Sequence, residues 1–590
     1  MAVVMFSGVL NINTNQVVAG SEIRLPSSYG MPTSPGPGYA GLYVEDNYVD
    51  LILPSTLRRH TVPEEGIPVC SGLTDPKCIG KKMLLHAILP RCDGDVQTDC
   101  VQGVSARDGT GIERFGVFSQ YFPTTTSSNF LGEPSAKIPS GSNSSIWNIP
   151  GVSHAGGSDF MVMVSIDGSV DESHKVFSGH YPSLRAAVYP VAVTPGQFEP
   201  WIPDSSGVST RSQDPHGNCV ALTRGYCAAR QDFPEELSFA LTLKLSSVPA
   251  GWLWGRLVSP LVSYETNASG ILLKVEAKPA KVPAVAVWVD ATKIPQSIAK
   301  VTATCNIDEM CGYGHGWNNP NSVEDWRPFY KDKASWVRGH WSFNNVGGTS
   351  ARDSGSCFSD ESTFHGLVAT NASYSNGGPP TYSTNDKTFT YTVGSPHYDE
   401  NNRVLQGFYS LLVRSSTAKC LYGVRQGSMS ASVSVTEGAD GIQETSVVNV
   451  VDDGKWLRVN ASGFHYSKPD IKVRLTSNSS ELTELPAVVS ATTTTVVTTT
   501  STTVAKPSVI MPKVSKDRLT SAQSIATFAK IKVLSTSKVS LRVVASSAKY
   551  CKVTGSAVKG LRAGSCKVTV TVTPKKGKAT SRNVTLKVTQ

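Results

Sequence analysis

Between positions 313 and 343 the sequence places Tyr313, Trp317, Trp326, Trp336 and Trp341, with Phe329, Tyr330 and Phe343 among or beside them. Flat rings with apolar faces and polar edges stack on sugars and anchor protein partners, so these five residues are the candidate ligand-binding set. The alternative is that the rings form the core of a segment poor in aliphatic residues. Asp308, Glu309, Glu324 and Asp325 lie near the tryptophans. A pair of these carboxyls would suit glycoside hydrolysis, which needs two at a set separation, although loop acids are far commoner than catalytic pairs.

Other chemistry is weaker. Asp93, Asp95 and Asp99, and separately Asp167 and Asp171, offer oxygen ligands of the kind calcium takes, but neither run has EF-hand spacing and turn formation explains both. No cofactor is therefore expected. His60, His86, His174 and His180 are too scattered to make a zinc set. Gly312-Tyr313-Gly314-His315-Gly316 is glycine-rich but does not join a strand to a helix, so it is not a dinucleotide loop. The H-E-x-x-H, G-x-S-x-G and P-loop motifs do not occur. No catalytic residue is nominated, and a non-enzymatic protein is expected.

The elements that would hold such a region are strands. Phe239, Leu241, Leu243 and Leu245 alternate, as do Val285, Val287 and Val289, which puts each set on one face of a sheet. Met83 to Leu89 is short, apolar and closed by Pro90, which suits a buried strand. Phe160 to Val164 reads as a strand ended by a turn at Asp167-Gly168. Further strands are expected at 388–393, 407–413, 431–436, 444–450, 456–460 and 471–475, with a hairpin turn at Asp452-Asp453-Gly454. The fold class expected is mostly β: several β-sandwich, Ig-like modules, a loop-rich aromatic insertion and a small C-terminal β-domain.

The expected divisions are a β domain over 1–130, a long loop over 124–145, and a β domain over 146–384 containing the Trp-rich loop region 301–380. A β-sandwich module over 385–480, a Thr-rich linker over 487–508 and a basic β domain over 510–590 follow. Nine threonines fill Ala491 to Ala505, a run with no core-forming pattern.

Twelve cysteines fall mostly in close pairs, and none has C-x-x-C spacing. Local disulfides in an oxidising compartment are expected: Cys70 with Cys78, Cys92 with Cys100, Cys219 with Cys227, Cys305 with Cys311, Cys357 with Cys420, and Cys551 with Cys566. Cys70–Cys100 with Cys78–Cys92 stays open as an alternative. The net charge of +9 is uneven. Ser501 to Gln590 holds 18 Lys and Arg against the single acid Asp517, giving +17, so the rest carries −8. A tail this basic concentrates on polyanions, and with only Phe528 and Tyr550 as aromatics it offers little stacking surface to nucleic acid. An anionic cell-envelope polymer or a glycan is the expected partner. No apolar run reaches the ~18 residues needed to span a bilayer. Met1 to Leu10 is apolar without a basic n-region, and a truncated or misassigned start is expected.

Leu89-Pro90-Arg91-Cys92 with Thr98-Asp99-Cys100-Val101, Gly407 to Leu411 with Cys420 to Gly423 and Ser462 to Tyr466, and Cys551 to Gly555 with Val558 to Cys566 are three further stretches. Together they resemble secreted, cell-surface, multidomain actinobacterial proteins of unknown function that carry a C-terminal Ig-like β-domain. The resemblance implies a surface location and a modular β architecture, and no site residues. The expected function is extracellular adhesion or ligand binding, with the basic module held at the envelope. An extracellular polysaccharide-acting enzyme and a structural envelope component are the alternatives.

Overall fold

A computed structural model describes residues 35–44, 54–60, 69–172, 183–196, 219–294, 310–311, 326–346, Cys357, 364–422, 429–477 and 513–589, with short breaks inside several spans. Among the described residues strands form 64% and helices 7%, so the backbone is satisfied mainly between strands and the mostly β expectation holds. The chain divides into two compact units, Met1–Thr483 and Glu484–Gln590.

The first unit is built on a central sheet. Val447–Asp452, Trp456–His465, Gln406–Arg414, Phe364–Thr370 and the start of Gly251–Asn267 pair in that order. The end of Trp336–Val346, then Ser183–Pro195, then Asp159–Val170 continue it. Of these pairings, only that of Gly251–Asn267 with Phe364–Thr370 is parallel. A second sheet takes the far half of Gly251–Asn267, then Gly270–Asp290, Ser238–Leu245, Cys100–Arg107 and Glu113–Phe115. A third joins Thr381–Ser383, Thr388–Gly394, Asp470–Ser477, Met429–Glu437 and Ile442–Glu444.

Side-chain alternation decides what each sheet covers. Phe160, Val162, Val164, Ala186, Val188, Trp341 and Phe343 of the central sheet share one core with Phe239, Leu241, Leu243, Leu273 and Val275 of the second. On the opposite face Trp252, Val368, Leu411 and Val459 share another core with Phe389, Tyr391, Ile471 and Val473 of the third sheet. Successive residues of a strand point to opposite faces, so Leu367 and Leu412 serve the first core while Val368 and Leu411 serve the second. A sheet covered on both sides needs continuous apolar runs, and every residue of Phe364–Thr370 is buried.

This layering changes three expectations. The divisions near 130–146 and at 384/385 do not separate sheets: Cys100–Arg107 pairs with Ser238–Leu245, and Phe364–Thr370 pairs with Gln406–Arg414. The Trp-rich region 301–380 is not all loop, because Trp336–Val346 and Phe364–Thr370 are interior strands of the central sheet. Asp167-Gly168 is not a turn but lies inside Asp159–Val170, with Met83–Ile88 on one edge and Ser183–Pro195 on the other. Two flanking ladders override the local turn signal. Much of the expected loop 124–145 is irregular, yet it buries Phe130 and Ile138 against Leu57, Met83 and Leu85. Ser415–Tyr422 is a short helix where strands alone were expected.

Five of the expected disulfides are present: Cys70–Cys78, Cys92–Cys100, Cys219–Cys227, Cys357–Cys420 and Cys551–Cys566. The open alternative for the first four cysteines is not formed. Cys305 lies outside the described residues, as do the Thr-rich run 491–505 and the N-terminal segment. Asp452-Asp453-Gly454 does turn a hairpin: Gly454 takes φ +85°, and the Asp453 carboxylate accepts from the Lys455 and Trp456 amides.

The second unit packs one sheet of Lys513–Ser515, Thr580–Thr589, Gly564–Thr573 and Lys538–Val543 with another of Leu519–Ser521, Ala557–Gly560 and Cys551–Thr554. Val568, Val570, Val572, Val584, Leu586 and Val588 form its core with Val558 and the Cys551–Cys566 bridge.

Candidate functional site

The five nominated aromatic residues do not form a shared exposed surface among the described residues. Tyr313 and Trp317 lie outside those residues, as do Asp308, Glu309, Glu324 and Asp325. Trp326, Trp336 and Trp341 are 5%, 3% and 0% exposed and belong to three different cores. Trp341 is locked by its indole N–H donating to the Ala277 carbonyl at 3.0 Å and by Phe343 packed at 5.9 Å. The physical reason is that Trp336–Val346 is an interior strand, so its alternate residues meet protein on either side.

Trp326 nevertheless packs next to a pocket without lining it. Its ring meets Phe329 edge-on at 5.7 Å, and with Tyr330, Leu42, Val285 and Val289 it forms a small core. Beside that core lies a pocket of about 420 Å³, walled by Ala286, Val287, Phe329, Lys331, Lys333 and Glu400. This is within the size range of small-ligand sites.

The backbone around the pocket is held by many bonds. Lys331 and Asp332 follow one another at φ +52° and +56°, a left-handed conformation that costs L-residues about 1 kcal/mol or more each. The Asp332 carboxylate accepts from the His397 backbone N–H at 3.0 Å and is paired with the His397 ring and the Arg327 guanidinium. Burial pushes the Asp332 carboxyl up, but its bonds to His397 and the Arg327 charge outweigh burial and hold it below the usual carboxylate range. The Ala334 amide donates to the Tyr398 carbonyl, and the Ser335 hydroxyl bridges the Ala286 N–H and carbonyl. Glu400 comes from the turn that the Asp399 carboxylate closes by accepting from the Asn401 and Arg403 amides. Two lysines, one glutamate and an aromatic residue thus border one opening. Such a site fits a ligand with an anionic group and an apolar or C–H-rich face.

Sequence reasoning placed aromatics here but missed Lys331, Lys333 and Glu400. The two lysines stand beside Tyr330 in the sequence and could have been noted. Glu400 is some 70 positions away, and only the fold brings it in.

A second concentration of charge is interior. Arg230, Arg256, Arg338 and His340 are all buried. Arg256 donates to the Thr370 and Ala372 carbonyls, Arg230 to Gly339 and Arg338 to Arg230. Burial first, and the three guanidinium charges second, drive the His340 imidazole well below its ordinary pKa. Asp99 is also buried, raised by desolvation against the bond it accepts from the Ser246 amide. It lines a space of about 20 Å³, room for one water.

The calcium candidates do not assemble among the described residues. Asp93 is at the surface while Asp99 is buried, Asp95 is outside the described residues, and the Asp167 carboxylate meets His86 Nδ1 at 2.6 Å. No group of three or more His, Cys, Asp or Glu suited to a metal occurs among the described residues. No helix among them is long and apolar enough to cross a membrane. No family model matches the chain, and no curated protein is similar to it in sequence.

Proposed function

We propose that this chain is an extracellular, non-enzymatic binding protein whose first unit holds a small acidic ligand, an acidic saccharide being the class that fits best, while its basic second unit associates with an anionic polymer of the cell envelope. The pocket at Phe329–Ser335 carries the reading: Lys331 and Lys333 line it together with Phe329 and Tyr330, on a backbone held through Asp332. The five disulfides support an oxidising compartment. The competing hydrolase reading needs two carboxyls facing a substrate. Among the described residues the pocket wall carries Glu400 alone, and the nearby Asp332 is committed to His397 and Arg327.

The test is a saccharide array probed with the full chain, with Lys331→Glu/Lys333→Glu and with Phe329→Ala. Binding to carboxylated or sulfated sugars that falls at least about tenfold in the charge-reversed variant, and less steeply in Phe329→Ala, is the expected outcome. Absence of acidic-sugar binding, or binding indifferent to both changes, would sink the assignment.

A further inference from the structure

We infer that the outer face of the Lys538–Val543, Gly564–Thr573, Thr580–Thr589 sheet is the surface on which the second unit holds an extended, phosphodiester-linked polyol polymer. The inference rests on the envelope-association reading above for its compartment and goes beyond it by naming a face and a polymer chemistry.

The alternation of the strands produces the face. Val568, Val570 and Val572 turn inward, so Lys567, Thr569, Thr571 and Thr573 turn outward. Register sets Lys538 opposite Thr573, Ser540 opposite Thr571 and Arg542 opposite Thr569. On the other side Ser581 lies opposite Thr571, and Asn583 opposite Thr569. Lys538, Ser540, Arg542, Lys567, Ser581 and Asn583 are exposed.

The central rungs are fixed before any ligand arrives. Thr569 Oγ1 donates to Asn583 Oδ1 at 2.7 Å, and the Thr571 and Ser581 hydroxyls meet at 2.7 Å. Hydroxyls and an amide therefore form an ordered polar floor. Cations stand at its ends. Lys538 and Arg542 are four residues apart on one strand, roughly 13 Å. Arg542 and Lys567 are diagonal neighbours, roughly 7–8 Å apart at the backbone. Among the described residues of this unit no acidic side chain offsets them.

A regular polyanion with hydroxyls between its charges matches this pattern: phosphates meet the cations, and polyol oxygens meet the Thr, Ser and Asn groups. The face carries no aromatic ring, so it gives nucleic-acid bases nothing to stack on.

The experiment uses the full chain and synthetic poly(glycerol phosphate), measuring affinity at low and moderate salt, with single-stranded DNA of equal charge as comparison. Arg542→Glu/Lys567→Glu is set against Lys549→Glu/Lys552→Glu, an equal charge change at exposed lysines on or next to the other sheet. We expect the first pair to weaken polymer binding at least about tenfold and the second less than about threefold. Equal weakening would reduce the effect to net charge and overturn the face. No weakening by either, with the intact chain still binding, would place the contact elsewhere and overturn the face while leaving the pocket reading untouched. DNA bound as tightly as the polymer, and lost in the same variant, would overturn the polymer assignment.

Discussion

At the scale of single residues, the tryptophans show how environment sets role. Trp341 fills the main core, so Trp341→Ala removes a fully buried ring from between two sheets. The expected cost is about 3–5 kcal/mol, read as a lower denaturant midpoint of the first unit. A Trp341 variant that unfolded like wild type would contradict the placement. His340 gives a pH prediction. Its folded pKa lies below the unfolded value of about 6.5, so the unfolded chain binds the extra proton and stability is lost as pH falls below that value. His154 shifts in the same direction, chiefly through burial, and adds to the loss. Unfolding midpoints measured from pH 7.5 to 5 should decline in wild type. In His340→Gln the slope should be shallower by up to about 1.4 kcal/mol per pH unit. Identical slopes would show that His340 titrates normally in the fold.

At the scale of elements, the strands with clean alternation are legible in the order of residues alone. Ser238–Leu245 buries Phe239, Leu241, Leu243 and Leu245 as its spacing predicts, because one face of that strand meets the core. The interior strands are not legible in the same way. In Trp336–Val346 the polar alternates Arg338, His340 and Ser342 are buried like Trp341 and Phe343, so a period-2 reading exposes a face that the fold covers. The pocket belongs to this class of feature. Its lysines flank Asp332, and Lys331 and Asp332 sit at positive φ with the Asp332 carboxylate bonded to His397 and Arg327 rather than with a glycine there, so residue type does not announce the turn.

For the whole molecule, the prediction concerns where the chain can be cut. A fragment ending at residue 384 loses Gln406–Arg414 and Trp456–His465, leaving Phe364–Thr370 as a raw edge and Trp252 and Val368 without the residues that cover them. It should aggregate or melt without a cooperative transition in circular dichroism. A fragment ending at residue 483 should melt cooperatively at the temperature of the intact first unit. Cooperative melting of the shorter fragment would restore a boundary at 384.

The amino-acid sequence by itself determined the β class, the clustering of most cysteines into near neighbours, the basic character of the tail and the alternating strands, because these depend on neighbours in the chain. It also placed aromatic residues near what became the pocket. Tertiary structure alone decided which sheets share a core, that three of the tryptophans are interior, and that Glu400 borders the same pocket as Lys331 and Lys333. Those outcomes come from pairings between residues tens to hundreds of positions apart, such as Trp252 with Val346 and His86 with Asp167. In a strand covered on both faces polarity no longer reports exposure, and a loop acid carries no sign of the cavity it will border.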